Sequence, residues 1–447
     1  MNTPICDFIK KYADENSLRL HMPGHKGKSF LGIEEKDITE VDGADVLYMG
    51  DGIIAESEKI ASDLFGSKKT LYSAEGSSLC IRAMVYLASV FAKEKGQKPK
   101  ILAARNAHKT FMSAVALIDV DVDWLYPEEK DNLMSCKIDA DYLERYLSQS
   151  EEKPTAVYIT SPDYLGNMSD IGAIARVCHE REIILMVDNA HGAYLKFLPE
   201  DKHPITLGAD ICCDSAHKTL PVLTGGAYLH IGESAPSILV DMAESAMSLF
   251  ASTSPSYLIL QSLDRANLYL ATDYRKRLDH LSSCVSNLKE ALLNQGFELV
   301  GGEALKLTVS TKSYGYTGEE IAEMLKNDHI ICEMADPDFV VMMFTPEISD
   351  LDIERVLSAL SKIERRKPMS VKTPMPGRSD RAMSIREAML SASVEVKVEE
   401  AAGKILSSAS VACPPAVPIL IAGERIDENA QICFRYYGIE KVRVVRS

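Results

Sequence analysis

The sequence predicts an α/β protein whose large domain is built on a mostly parallel sheet. Two observations carry this. Ala156-Val-Tyr-Ile-Thr160 reads as a strand, and Ile171, Ile174, Ala175 and Cys178 then follow the i, i+3, i+4, i+7 spacing of an amphipathic helix behind Ser169-Asp170. The continuous apolar run Ile183–Val187 comes next, as a strand buried on both faces requires, and ends at Asp188. Strand, helix, strand in this order is a βαβ unit, whose strands run parallel through a right-handed crossover.

The same alternation extends from about residue 70 to 230. Thr70–Ser73 is a strand ahead of an apolar helix, Cys80–Ala88. Ile101–Ala104 is a second strand, and Ala209–Cys213 a third. Residues 271–298 form a long helical stretch, and strand and helix signals resume to about 364. Arg365 to Gly377 is charged and Pro-rich, as a linker is. A last segment carries a helix from Ser384 to about Ser391 and a Pro-rich loop at Cys413–Pro418. The expected domains are 1–270, 271–368 and 369–447.

With 447 residues, 46% hydrophobic and 26% charged, the chain has material for a large core, which excludes disorder as its main state. Its net charge of −16 makes a poor binder of nucleic-acid phosphates. The first twenty residues lack the apolar core of a secretory signal, and no apolar stretch is long enough for a membrane span. Ten cysteines without CxxC spacing read as reduced thiols of a cytoplasmic protein.

Several polar clusters follow predicted strands, where open α/β sheets bind ligands. They are Gly76-Ser77-Ser78, Asn106-Ala-His108, Asp188-Asn-Ala-His191 and Ser215-Ala-His-Lys218. Together they suit pyridoxal phosphate. That cofactor needs a lysine to form an imine, a carboxylate against its ring nitrogen, an anion nest for its phosphate and often an aromatic plate. Lys218, Asp188, the Gly76–Ser78 turn and His108 fit these needs in turn. Taken singly, each has a plainer role: a solvated lysine, a helix cap, a common N-cap turn, a core histidine. His191 and His217 could serve a metal, but no further ligands stand at a recognisable spacing. Two other signals fail. Gly27-Lys-Ser29 lacks the glycine a phosphate loop needs at position 22, where Met stands. His21 and His25 are separated by Pro23 and Gly24, which breaks a helical metal pair.

With these motifs in view, the chain resembles the Orn/Lys/Arg decarboxylases of the aspartate-aminotransferase fold (PLP fold type I), in the short form without an N-terminal wing domain. The resemblance spans nearly the whole chain. It rests on Leu20-His-Met-Pro-Gly-His-Lys26, Arg105-Asn-Ala-His-Lys109, Thr160-Ser-Pro-Asp-Tyr164, Asp188-Asn-Ala-His-Gly192, Ser215-Ala-His-Lys-Thr-Leu-Pro221 and Ser252-Thr-Ser-Pro-Ser-Tyr257. In the last segment Ser384-Ile-Arg-Glu-Ala388 and Pro414–Pro418 with Gly423-Glu424 continue it. The resemblance implies PLP-dependent decarboxylation of arginine, lysine or ornithine, with arginine to agmatine favoured, for polyamine synthesis. Lys218 would form the imine, Asp188 would face the ring nitrogen, and His108 would stack on the ring. Ser77, Ser78, Ser215 and His217 would hold the phosphate, with Gly76 and His191 in the same pocket. Lys218 or His217 would return the proton to Cα. Thr253 and Ser254 would reach a partner subunit's site, so a homodimer is the smallest unit. Asp163, Glu387 and Glu424 are candidates for an acidic pocket mouth. Arg386 is the arginine an aminotransferase would need, so an aminotransferase, a lyase or a non-catalytic relative stays open. Four positions depart from the family pattern: Glu75 and Leu79 around the phosphate turn, Asn189 where Glu is usual, and Ala416 where Gly is usual. Cys413 replaces a common aromatic.

Overall fold

A computed structural model describes residues 1–127, 133–408, 410–412 and 418–446. Cys413 and Ala416, two of the departures noted above, lie outside the described residues. Seven strands form the main sheet: β1 (Lys69–Ser73), β2 (Lys100–Ala104), β3 (Asp121–Leu125), β4 (Ala156–Thr160), β5 (Ile184–Asp188), β6 (Ile211–Asp214) and β7 (Ala227–Ile231). Their order is β1-β7-β6-β5-β4-β2-β3. β2 with β3 and β5 with β6 run parallel, while β7 runs antiparallel to both β1 and β6. The expected α/β class and mostly parallel sheet are therefore present.

Element bounds differ slightly from the sequence reading. β5 includes Asp188, so this carboxylate leaves the last residue of a strand. β6 starts at Ile211 rather than Ala209, because Ala209 N–H closes a turn on the Pro204 carbonyl. Asp214 is thus a strand residue and not part of the loop that follows. The helical stretch expected over 271–298 is the helix Tyr274–Asn294, and a separate helix, Tyr257–Thr272, precedes it.

The chain divides into two compact units. The first comprises Met1–Lys98, Thr155–Val157 and Ile171–Leu278; the second comprises Pro99–Pro154, Tyr158–Asp170 and Asp279–Ser447. In the first, helix Ser77–Glu94 packs on β6 and β7, and its Leu79, Cys80, Ala83 and Met84 are buried. Every residue of β5 and β6 is buried, which explains their unbroken apolar runs.

In the second unit, β8 (Glu298–Val300), β9 (Lys306–Ser310), β10 (Met334–Ala335) and β11 (Phe339–Met343) form an antiparallel sheet, ordered β10-β11-β9-β8. β12 (Ser393–Lys397) pairs with β15 (Lys441–Val445), and β13 (Ser410–Ala412) with β14 (Pro418–Ile421). Met334, Phe339 and Val341 share one apolar core with Val398, Leu406, Ile419, Phe434 and Val444. The Pro-rich stretch after Arg365 has no helix or strand, yet it is held at several points. Arg366 N–H bonds the Tyr314 carbonyl, Lys312 Nζ bonds the Val371 carbonyl at 3.0 Å, and Thr373 Oγ1 donates to Asp338 at 2.7 Å. Lys312 also pairs with Asp338 at 2.5 Å and bonds the Tyr436 hydroxyl. The helix expected after Ser384 runs Ile385–Leu390.

Candidate active site

The first unit gathers most of the expected residues at the carboxyl ends of β5 and β6. Asp188 ends β5 opposite Cys213 of β6 in parallel register. Its carboxylate is 2% exposed and accepts from Ala190 N–H at 3.3 Å and from the Cys213 thiol at 3.6 Å. Ser215 follows β6, and Lys218 stands in the short helix Ala216–Thr219. Lys218 Nζ lies 3.0 Å from His191 Nε2, so the loops after β5 and β6 meet at an amine–imidazole hydrogen bond. His217 Nδ1 lies 3.0 Å from the Gly226 carbonyl oxygen. That bond places the ring proton on Nδ1 and leaves Nε2 as an acceptor. Burial, with Lys218 adding to it, holds the imidazole below its usual pKa and keeps it neutral.

The small turn before helix Ser77–Glu94 has the features of an oxyanion cradle. Gly76 sits at φ +72°, a conformation glycine adopts without strain, and a Cβ there would meet only Ser78 N at 3.9 Å. Gly76 stands at the N-cap and offers no side chain to cap the helix start. Ser215 Oγ donates to Ser77 Oγ at 2.7 Å, joining the turn to the loop that carries Lys218. An amine, a carboxylate and serine hydroxyls at a helix N-terminus thus belong to one unit, and the last of these is a natural oxyanion receiver. Leu79, one of the departures, is buried in the helix core. Glu75, another, accepts from Ser252 N–H at 2.5 Å and ties the turn to the exposed loop bearing Thr253 and Ser254.

The remaining candidates lie in the second unit. His108 caps helix Lys109–Ile118, its Nδ1 accepting from Thr110 N–H at 3.3 Å. Asp163 is buried, accepts from Asn167 N–H at 2.8 Å, and is pushed up in pKa by burial. Glu424 is 4% exposed, with Oε2 2.7 Å from Arg105 Nη2 and 3.0 Å from Ile421 N. The Arg105 guanidinium also lies 5.4 Å from the ring centres of both Trp124 and Tyr126. Glu387 is exposed and closes a capping box with Ser384. Arg386 Nη1 donates to the carbonyls of Ala116 and Leu117 at 2.6 and 3.1 Å, at the end of helix Lys109–Ile118. Both side chains therefore have structural partners, and the Ser-x-x-Glu pattern announced the cap.

Sequence reasoning missed the surroundings of Asp214. Asp214, His203 and His230 form a fully buried cluster, one of two His/Cys/Asp groupings of metal-ligand type among the described residues. The other is His280, Cys284 and Asp350, on the surface. His21 and His25 are joined instead to Tyr12 at 2.5 Å and Asp37 at 3.2 Å. All nine cysteines among the described residues are unpaired, and six are buried. No helix among the described residues is long and apolar enough to cross a membrane.

Comparison with known proteins identifies the family. The major-domain profile of the Orn/Lys/Arg decarboxylases matches residues 3–300, and their C-terminal-domain profile matches 370–442. An arginine decarboxylase of Bacillus subtilis is 29% identical, over 97% of this chain and 93% of its own length. An arginine decarboxylase of Halalkalibacterium halodurans is 28% identical, over 96% and 91%. Among solved structures, the Francisella novicida lysine decarboxylase superposes with a TM-score of 0.80 at 16% identity, covering 99% of this chain and 81% of that one. The constitutive lysine decarboxylase of Escherichia coli gives 0.79 at 17%, covering 100% and 82%. These last two speak for the fold. With its two domain profiles matched in order, and the first over more than half its length, this chain belongs to the Orn/Lys/Arg decarboxylase family of enzymes.

Proposed function

We propose that the chain is a pyridoxal-phosphate-dependent decarboxylase of a basic amino acid, with arginine as its substrate and agmatine as its product, feeding polyamine synthesis in the cytoplasm. The observation that carries this reading is the Lys218 amine and the buried Asp188 carboxylate at the ends of two adjacent parallel strands. The donor set fits the cofactor. Lys218 would hold its aldehyde carbon and Asp188 its ring nitrogen. Ser77, Ser78 and Ser215 would hold its phosphate, with Gly76 leaving room for close approach. When bound, the cofactor supplies an electron sink for the bond that loses carbon dioxide.

The chain's own residues supply position and protons. His191 Nε2 fixes the direction of the Lys218 amine. Lys218 is also an amine that could deliver the proton Cα would receive. His217 spends its ring proton on the Gly226 carbonyl, which fixes the imidazole next to Lys218 in the chain. Asp188 is held in place by bonds from Ala190 N–H and the Cys213 thiol, which aim its carboxyl group from the end of β5.

Arginine is preferred because relatives at 27–29% identity over more than nine-tenths of this chain are named arginine decarboxylases. Arg386, which an aminotransferase would need to clamp a carboxylate, is committed to backbone carbonyls. A homodimer is the proposed assembly. Leu18, Leu20, Phe30, Leu31 and Met49 are each about 80% exposed, an apolar surface that suits a second copy.

The test is a substrate panel. Release of carbon dioxide from arginine, lysine and ornithine is followed beside keto-acid formation, with pyridoxal phosphate added. Carbon dioxide from arginine without keto acid is expected. Keto acid as the main product, or neither product from a cofactor-loaded protein, overturns the reading.

A further inference from the structure

Asp214 ends β6, is fully buried, and has no duty in the chemistry above. Its two oxygens are divided between neighbours. Oδ1 accepts from Asn189 Nδ2 at 2.7 Å. Oδ2 lies 2.9 Å from His203 Nε2 and 3.3 Å from His230 Nε2. Ile205 N–H points at His203 Nδ1 at 3.4 Å, so that nitrogen accepts and the ring proton sits on Nε2, facing Asp214. A protonated Nε2 is a donor and not a metal ligand, so His203 and Asp214 form a buried hydrogen bond rather than half of a metal site. His230 is oriented from behind by Thr70 Oγ1, 2.8 Å from its Nδ1. Burial alone would raise the Asp214 carboxyl, but His203 and His230 hold it well below the ordinary range, ionised.

The network reaches the proposed site through Asn189. Asn189 N–H bonds the Cys213 carbonyl at 3.0 Å while its side chain bonds Asp214. The residue after Asp188 is therefore fastened twice to the two residues before Ser215. A Cβ at Gly192 would fall 2.0 Å from Asn189 Oδ1, so only glycine leaves this amide its place.

Resting on the proposed cofactor reading, we infer that Asp214 is a positioning residue whose carboxylate, through the Asn189 amide, sets Asp188 against the Ser215–Lys218 loop for cofactor binding. Asn189 and Asp214 act as a matched donor–acceptor pair. The departure at 189 is part of that match: a glutamate there would set a second carboxylate against Asp214.

The test reads pyridoxal phosphate affinity of the cofactor-free full chain by absorbance titration, with thermal melting as the check on folding. Asn189→Ala keeps both histidine contacts of Asp214 but removes the link, and its affinity falls about tenfold. Asn189→Asp opposes two carboxylates and falls further. Asp214→Asn on top of Asn189→Asp restores the pair with its roles exchanged, and recovers affinity to within about threefold of the original chain. A folded Asn189→Ala that binds as tightly as the original overturns the inference, as does a double variant no better than Asn189→Asp. Failure of the original chain to bind the cofactor at all would instead overturn the proposed function.

Discussion

Lys218 Nζ and His191 Nε2 stand 3.0 Å apart, although 27 residues separate them in sequence. The bond joins the loop after β6 to the loop after β5, the two loops that flank Asp188 and Ser215. An amine held this way is aimed by the fold before any ligand arrives, which is how a site limits the entropy lost on binding.

Replacing that amine is the most direct check. Lys218→Ala removes the visible absorbance of lysine-bound pyridoxal in a spectrophotometric titration. Carbon dioxide release drops by about 10²–10⁴-fold or more, because a positioned proton donor disappears with the imine-forming group.

Asp188→Asn keeps the shape of the side chain and loses its charge. The expected result is a fall in kcat of about 10²–10³-fold with little change in the melting temperature, since electrostatic stabilisation of developing charge is lost while packing is kept. Steady-state kinetics beside a melting curve separates the two effects.

Arg105 and Glu424 form a buried ion pair at 2.7 Å, with side chains 10% and 5% exposed. Removing one partner strands the other charge. Glu424→Ala therefore destabilises the chain by about 3–5 kcal/mol, read by denaturant unfolding. Adding Arg105→Met to it restores part of the loss, because no unpaired guanidinium remains.

Glu58 gives a stability prediction with a defined pH window. Burial pushes its carboxyl up from 4.5 to about 8, against the pull of the Tyr72 N–H bond to Oε1. The folded state thus holds a proton that the unfolded state releases between these values. This contribution is fully present below pH 4.5 and is lost as pH rises through about 8. Glu58→Gln keeps the Tyr72 acceptor and cannot ionise. It melts higher than the original chain at pH 8, and the gap closes toward pH 5.

Much of the site was legible in the sequence because its residues lie in short segments at strand ends. Lys218, Asp188, His191 and the Gly76–Ser78 turn each follow an apolar run whose period reveals a strand. What stayed hidden depends on pairing across the chain. His230 neighbours Asp214 only because β7 lies antiparallel to β6 with Cys212 opposite His230. Arg105 and Glu424 are 319 residues apart, and no local pattern signals their contact. The acid expected at a pocket mouth, Glu387, shows the converse. Its Ser384-x-x-Glu387 spacing is a local cap signature, and the local signal describes the bond it makes.

The contacts of Lys312 and Asp338 bear on how the last eighty residues can be handled. Asp338 receives Lys312, Thr373 and Tyr436 together, so it clasps the short turn Lys312–Tyr314, the Pro-rich stretch and the helix Glu428–Tyr436 in a single knot. A chain cut after Lys367 would leave Asp338 and the apolar faces of Met334 and Phe339 bare to water. The terminal segment is a structural wall of its unit, and trimming it would yield a sticky, poorly folded remnant in place of a smaller enzyme.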